Sequence, residues 1–160
     1  MADVAEDVLD AIDHGDRQVH ACLQPAVTSG DPVLLARLVA NLVDNAVRHN
    51  VAGGDLWLTT STVDGQGTLV VTNTGPLVAA DAVDSLFEPF RRLHDRTSRD
   101  GFGLGLAIVA SIAAVHGGTV AAHPMPEGGL RITVTMRSTA AVSDVTLNWP
   151  NSPYAEVTYR

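Results

Sequence analysis

Lysine is missing from the chain altogether, since all ten basic residues are arginine. That leaves no P-loop lysine and no strand lysine of the protein-kinase type, which excludes two large nucleotide-binding families. Cysteine is nearly missing too: the single Cys22 forbids an internal disulfide and suits a reducing compartment. Aromatic residues are few. No apolar run approaches the ~20 residues of a membrane helix, so no direct membrane insertion is expected. A basic n-region is lacking at an N-terminus that is acidic instead, so no signal peptide is expected. Positive charge is in short supply, and a formal net charge of −8 excludes nucleic acid as the main partner, because that would ask for a basic face. What remains is 160 residues, the length of one ordinary domain with a proper core.

The richest stretch is 31–50, DPVLLARLVANLVDNAVRHN. Leu35, Leu38, Val39, Leu42, Val43 and Ala46 recur at the spacing of one helix face, with Asp31 as N-cap and Pro32 at the first helical position. Arg37, Asn41, Asp44, Asn45 and Arg48 fall on the other face, within roughly a hundred degrees of one another. A merely solvated face is poorly served by two asparagines at i and i+4, since asparagine is a mediocre helix former that competes with its own backbone. Those carboxamides point to a ligand.

Before that helix, Val4, Val8, Leu9 and Ile12 predict a short amphipathic helix that Gly15 can cap, with six acids and no Arg or Lys in the first sixteen residues. RQVHACLQ and AVTS read as strands. His20 and Pro25 have the spacing of a phosphoacceptor histidine motif, but no acid follows the histidine and the segment alternates like a strand, so His20 is read as structural. After the helix, DLWLTTSTV and TLVVTNTG flank DGQG, the signal of an antiparallel hairpin. Asn73, Thr74, Gly75 and Pro76 end its second strand in a tight turn that offers the Asn73 side chain to a ligand.

DAVDSLF predicts a short helix. The stretch 88–103 has no apolar period, and a loop that long in a compact domain is usually functional or disordered. Arg91, Arg92, Arg96 and Arg99 make it the most basic part of an acidic chain, suited to an anion. GFGLGLAIVASIAAVHGG then predicts a helix with Leu106, Ile108, Val109, Ile112 and Val115 buried, opened by Gly101, Gly103 and Gly105. Glycines at a helix N-terminus let backbone N–H groups approach a phosphate. The dinucleotide fingerprint G-x-G-x-x-G fails, because Leu106 stands where its third glycine belongs. GTVAAH and LRITVTM predict a closing hairpin with Leu130, Ile132, Val134 and Met136 facing the core. Residues 138–160 hold strand-like fragments broken by Pro150 and Pro153 and read as a tail of unknown role, partly ordered.

In this order the pieces resemble the catalytic, ATP-binding domain of bacterial sensor histidine kinases. NLVDNAVRHN looks like the family's N box, VTNTGP its first glycine box, LFEPFRR its F box and GFGLGL its second glycine box. The resemblance covers residues 2–137, giving a domain over 1–137 and a tail over 138–160. It implies an α/β (α+β) two-layer sandwich, with about three helices on one face of a mixed, mostly antiparallel sheet and a flexible ATP lid. It also implies a cytoplasmic portion of a membrane-anchored sensor kinase, working with a dimerisation and phosphoacceptor domain and a downstream response regulator.

Carried over by position, the resemblance assigns the Asn45 carboxamide oxygen to Mg²⁺, a hard cation that takes oxygen ligands and bridges phosphates. Asn41 and Asp44 would share that side of the site, Arg48 and Arg92 would donate to phosphate oxygens, and the ring of His49 would pack on adenine. Asn73 would accept from the adenine amine, and Gly75 of the same box would help bind the nucleotide. Phe87 and Phe90 would anchor the lid, while Gly101, Phe102, Gly103, Leu104, Gly105 and Leu106 would enclose the triphosphate. Asn41, Asn45 and Arg92 are the catalytic candidates. In related ATPases a glutamate stands at the position of Asn41 and activates water; an amide takes no proton at neutral pH, so Asn41 favours transfer to a nucleophile, a histidine on a partner helix, over hydrolysis.

Three positions depart from the family pattern: Asn73 stands for the usual Asp, Leu77 for a glycine and Phe102 for a small hydroxyl residue. They motivate a second reading, a degenerate non-catalytic nucleotide-sensing or interaction module. A third, an anti-sigma-type serine kinase, is disfavoured by Asn41 and the F box. No His-acid-x-x-x-Pro acceptor motif is present, so the chain is expected to bind ATP without phosphorylating itself.

Overall fold

The computed structural model describes residues 1–89 and 103–137. Helices α1 (Ala2–Ala11), α2 (Pro32–Arg48) and α3 (Gly105–Val115) pack on one face of a sheet made of β1 (Gln18–Leu23), β2 (Asp55–Val63), β3 (Gln66–Asn73), β4 (Thr119–Pro124) and β5 (Leu130–Arg137). The strand order is β1-β2-β3-β5-β4. Strand β1 runs parallel to β2, and the other neighbouring pairs are antiparallel. The architecture is the expected two-layer sandwich with a mixed, mostly antiparallel sheet. The lid stretch with Phe90, Arg91, Arg92, Arg96, Arg99, Gly101 and Phe102, and the tail 138–160, lie outside the described residues.

The six apolar residues assigned to the inner face of α2 are the six that are buried there. The helix starts where its sequence says: the Asp31 carboxylate accepts from the backbone N–H of Val33 at 2.8 Å and of Leu34 at 3.4 Å, and Pro32 opens the first turn. Asp31→Ala leaves these donors to water alone and is expected to cost about 1 kcal/mol. A urea melt reads this as a lower midpoint at unchanged slope; an unshifted midpoint would mean the cap contributes nothing.

Alternation puts Leu56, Leu58, Leu69, Val71, Leu130, Ile132, Val134 and Met136 on the helix side of the sheet, where Leu58, Val71 and Ile132 pair across three strands. Between β2 and β3 the chain turns on Asp64 and Gly65, both at positive φ (49° and 72°), the two-residue turn that matches strand twist.

Four local expectations differ from the structure. Helix α1 ends at Ala11 with Ile12 extended, so Gly15 (φ 62°) serves a later turn, in which its N–H donates to Asp13 Oδ1. AVTS forms no strand; pairing with β2 stops one residue past β1, where Gln24 N–H donates to Thr60 O. DAVDSLF folds as two 3₁₀ turns, Ala80–Ala82 and Asp84–Phe87. Val115 is exposed, since α3 is apolar nearly all round and its sequence does not single out a face. His20 is held structurally: its Nε2 lies 2.7 Å from Asp55 Oδ1 and its ring stacks on Trp57 with centroids 5.5 Å apart. Among the described residues no helix is long and apolar enough to cross a membrane.

Candidate functional site

Helices α2 and α3 lie side by side, and the candidate residues collect where the middle of α2 meets the start of α3. Asn41 is half-buried; its Nδ2 donates to Arg37 O one turn back at 2.7 Å, and its Oδ1 lies toward the start of α3. A Cβ built on Gly105 would sit 3.5 Å from that oxygen, so the first asparagine-bearing turn of α2 faces the first residue of α3. Asn45, one turn further on, is half-buried, and among the described residues nothing hydrogen-bonds its carboxamide. A half-buried amide oxygen without a protein donor fits a hard cation.

The start of α3 supplies the opposite polarity. Gly103 holds φ 68°, Leu104 occupies the N-cap position with no side-chain cap, and no acid lies in the first turn. Among the described residues nothing caps the N–H groups of that turn, which with the helix dipole could receive an anion. The Leu106 side chain is buried in the core and anchors the turn that carries those donors.

Asp44 and Arg48 meet each other, with Arg48 Nε donating to Asp44 Oδ1 at 2.9 Å. Both side chains are about half exposed, so the pair adds little stability and leaves the terminal guanidinium nitrogens available to a ligand. Phe87 closes the second 3₁₀ turn and packs partly buried against the core.

The far end of the site is built from the exit of α2 and the exit of β3. His49 is the exposed C-cap residue of α2. Asn73, last in β3, shares the helix-facing side of the sheet with Leu69 and Val71 and is only 4% exposed, so its side chain is more enclosed than the turn alone implied. Its Nδ2 donates to Thr74 O at 2.7 Å. A carbonyl there admits only the amide's nitrogen, so Oδ1 is set as an acceptor, the role an aspartate would play without its charge. Gly75 admits no side chain, since a Cβ would stand 2.5 Å from His49 O and 3.3 Å from Gly129 Cα.

Two pairs of residues in this region were not identified from sequence as part of the site. Gly128 and Gly129, at φ 98° and 96°, lay the β4–β5 turn backbone to backbone against the Asn73–Pro76 turn; Gly129 N–H donates to Pro76 O at 2.9 Å, and a Cβ on either glycine would overlap that turn's carbonyls. Their tandem spelling before β5 was the available signal. Asn50 and Thr74, hydrogen-bonded side chain to side chain, gave none, because 24 residues separate them.

The family described as histidine kinase-, DNA gyrase B-, and HSP90-like ATPase matches residues 30–140. The chain is 48% identical over 144 residues to the sensor protein CutS of Streptomyces coelicolor, an alignment covering 85% of this chain and 34% of CutS. It thus spans about a third of that relative's length. Among solved structures, the mycobacterial sensor histidine kinase MprB superposes with a TM-score of 0.79 at 28% identity, over 87% of this chain and 97% of that one. The ATP binding domain of PrrB from Mycobacterium tuberculosis gives 0.65 at 26% identity, over 87% and 91%.

Proposed function

The chain belongs to the histidine kinase-, DNA gyrase B- and HSP90-like ATPase family, and from that premise we propose that it is the ATP-binding catalytic domain of a sensor histidine kinase. Residues 1–137 form this domain, and the tail 138–160 stands outside it. The domain binds ATP with Mg²⁺ and hands the γ-phosphoryl group to a histidine on a separate dimerisation helix. In that step the bond from Pγ to the bridging oxygen of the β-phosphate breaks, a bond from Pγ to the imidazole nitrogen forms, and ADP leaves.

One observation supports the reading most: two carboxamides, Asn41 and Asn45, on successive turns of α2, the first of them beside the uncapped N-terminus of α3. A cation ligand and an anion seat side by side are what a metal–triphosphate requires. Asn45 would hold Mg²⁺, which supplies charge neutralisation across the phosphates. The N–H groups from Gly105 onward would hold phosphate oxygens, with Gly103 and Leu104 shaping the approach. Arg48, beside Asp44, would donate from its free guanidinium nitrogens. His49, Asn73 and Gly75 would hold adenine, and Phe87 would anchor the lid. Phe90, Arg92, Gly101 and Phe102 keep their expected lid and phosphate roles as part of this proposal. With an amide at position 41 no carboxylate activates water there, so transfer is favoured over hydrolysis.

Because the relatives extend well beyond the matched region, the domain is proposed to act within a longer, membrane-anchored sensor, on its cytoplasmic side, serving a downstream response regulator. The test is incubation with labelled ATP and Mg²⁺, with and without a separately supplied helical domain bearing the acceptor histidine. Label is expected on that domain and none on this chain. Label on this chain alone would contradict the proposal.

A further inference from the structure

We propose that Asn50 and Thr74 form a clamp that fixes the spacing between His49 and Asn73, making them positioning residues for the base end of the nucleotide; this rests on the functional reading above. His49 caps α2, and Asn50 follows it. Asn73 ends β3, and Thr74 follows it. The two base-end candidates are therefore each one residue from a member of a single hydrogen-bond network.

Every member of the network bonds to at least one other. Thr74 Oγ1 accepts from Asp55 N–H at 2.9 Å and donates to Asn50 Oδ1 at 2.6 Å, much the shorter of its two acceptor contacts, the other being Asp55 O at 3.4 Å. Asn50 Nδ2 donates to Asp55 O at 2.9 Å while Asn50 Oδ1 also accepts from Val51 N–H at 2.9 Å. Flipping that amide would set like against like at two contacts, oxygen against Asp55 O and nitrogen against Val51 N–H. Thr74 N–H donates to Asp55 O at 3.1 Å, so the first residue of β2 is gripped from both sides. The close approach has a steric signature too: a Cβ on Gly54 would overlap both Asn50 Oδ1 and Thr74 Oγ1, and one on Gly75 would press on His49 O. Only chains drawn this tightly together exclude a methyl group at both places.

Neither clamp side chain is assigned a ligand contact. Loosening them shifts His49 against Asn73 while Asn45 and the start of α3, held by α2 and α3 themselves, stay in place. The base end should suffer and the phosphate end should not.

The test compares the unaltered chain with Thr74→Val, Thr74→Ser and Gly54→Ala, each checked for fold by circular dichroism. ATP and inorganic tripolyphosphate are titrated calorimetrically, both with Mg²⁺. Valine keeps the shape of threonine but neither donates nor accepts, so Thr74→Val is expected to weaken ATP about tenfold and leave tripolyphosphate unaltered. Gly54→Ala should act likewise, and Thr74→Ser, which keeps the hydroxyl, should bind ATP like the unaltered chain. Undiminished ATP binding by Thr74→Val, an equal loss of ATP and tripolyphosphate, or failure of the serine variant to restore binding would overturn the clamp. An unaltered chain that binds no ATP overturns the functional reading instead. Hydrogen exchange at the Asp55 amide then decides the clamp alone: faster exchange in Thr74→Val supports it, and an unchanged rate refutes it.

Discussion

Asn45→Ala is expected to remove the magnesium-dependent part of ATP binding, a loss of roughly a hundredfold in affinity, while the protein stays as stable as before. The two halves of this prediction have separate physical grounds. The carboxamide oxygen is the donor assigned to the cation, and alanine offers none. Among the described residues the Asn45 side chain holds no hydrogen bond, so its removal orphans nothing inside the protein. Alanine is also the better helix former, which shifts stability slightly upward if at all. Titrations with and without Mg²⁺, beside a urea melt, separate the outcomes. Magnesium-dependent binding that survives the substitution would move the metal to another ligand, and a large drop in stability would mean that Asn45 is structural.

Leu42→Ala is the counterpart on the inner face of the same helix. Leu42 is fully buried in the cluster that α1, α2 and α3 form with the sheet. Truncating it removes buried methyl groups and leaves a cavity, at a cost of about 2–5 kcal/mol. Against a total of ~5–15 kcal/mol for an ordinary domain, that is a large share. Denaturant unfolding should show the fall directly, and nucleotide binding should decline only as the folded fraction declines. A loss below about 1 kcal/mol would mean the core around α2 closes over the gap. Together the two variants assign opposite duties to two faces of one helix.

That division was legible in the sequence because a helix writes its faces at a fixed period. Leu35 through Ala46 gave the inner face of α2, Asp31 and Pro32 its start, and the spacing of Asn41 and Asn45 its ligand side. Strand alternation did the same for Leu130 to Met136 in β5, and Asp64-Gly65 marked the hairpin between β2 and β3. Where the pattern carried no polar contrast, the reading failed: α3 is apolar on almost every side, so Val115 looked no less buried than Val109. The short segment 81–87 could satisfy its backbone in 3₁₀ turns as readily as in a helix, and its sequence did not tell the two apart.

The site was legible where its residues sit on one element and obscure where it depends on meetings between distant ones. Asn73 was identified as a candidate, but the orientation of its amide follows from a carbonyl contact that no sequence pattern states. Gly54, Asn50, Thr74, Gly128 and Gly129 are unremarkable loop residues until the turns that carry them are seen pressed against one another. A glycine needed for close approach across the fold is spelled like a glycine needed for a local turn. Only the three-dimensional neighbour tells them apart.

The central claim, that a magnesium-bound nucleotide lies between the middle of α2 and the start of α3, is tested most directly by nuclear magnetic resonance. The ¹⁵N-labelled chain is titrated with a non-hydrolysable ATP analogue, with and without Mg²⁺. The account predicts shifts at the Asn41 and Asn45 side-chain amides and at the backbone amides of Gly105 and Leu106, with those at Asn45 depending on the metal. No shifts at millimolar analogue, or shifts gathered on the sheet face away from the helices, would contradict it.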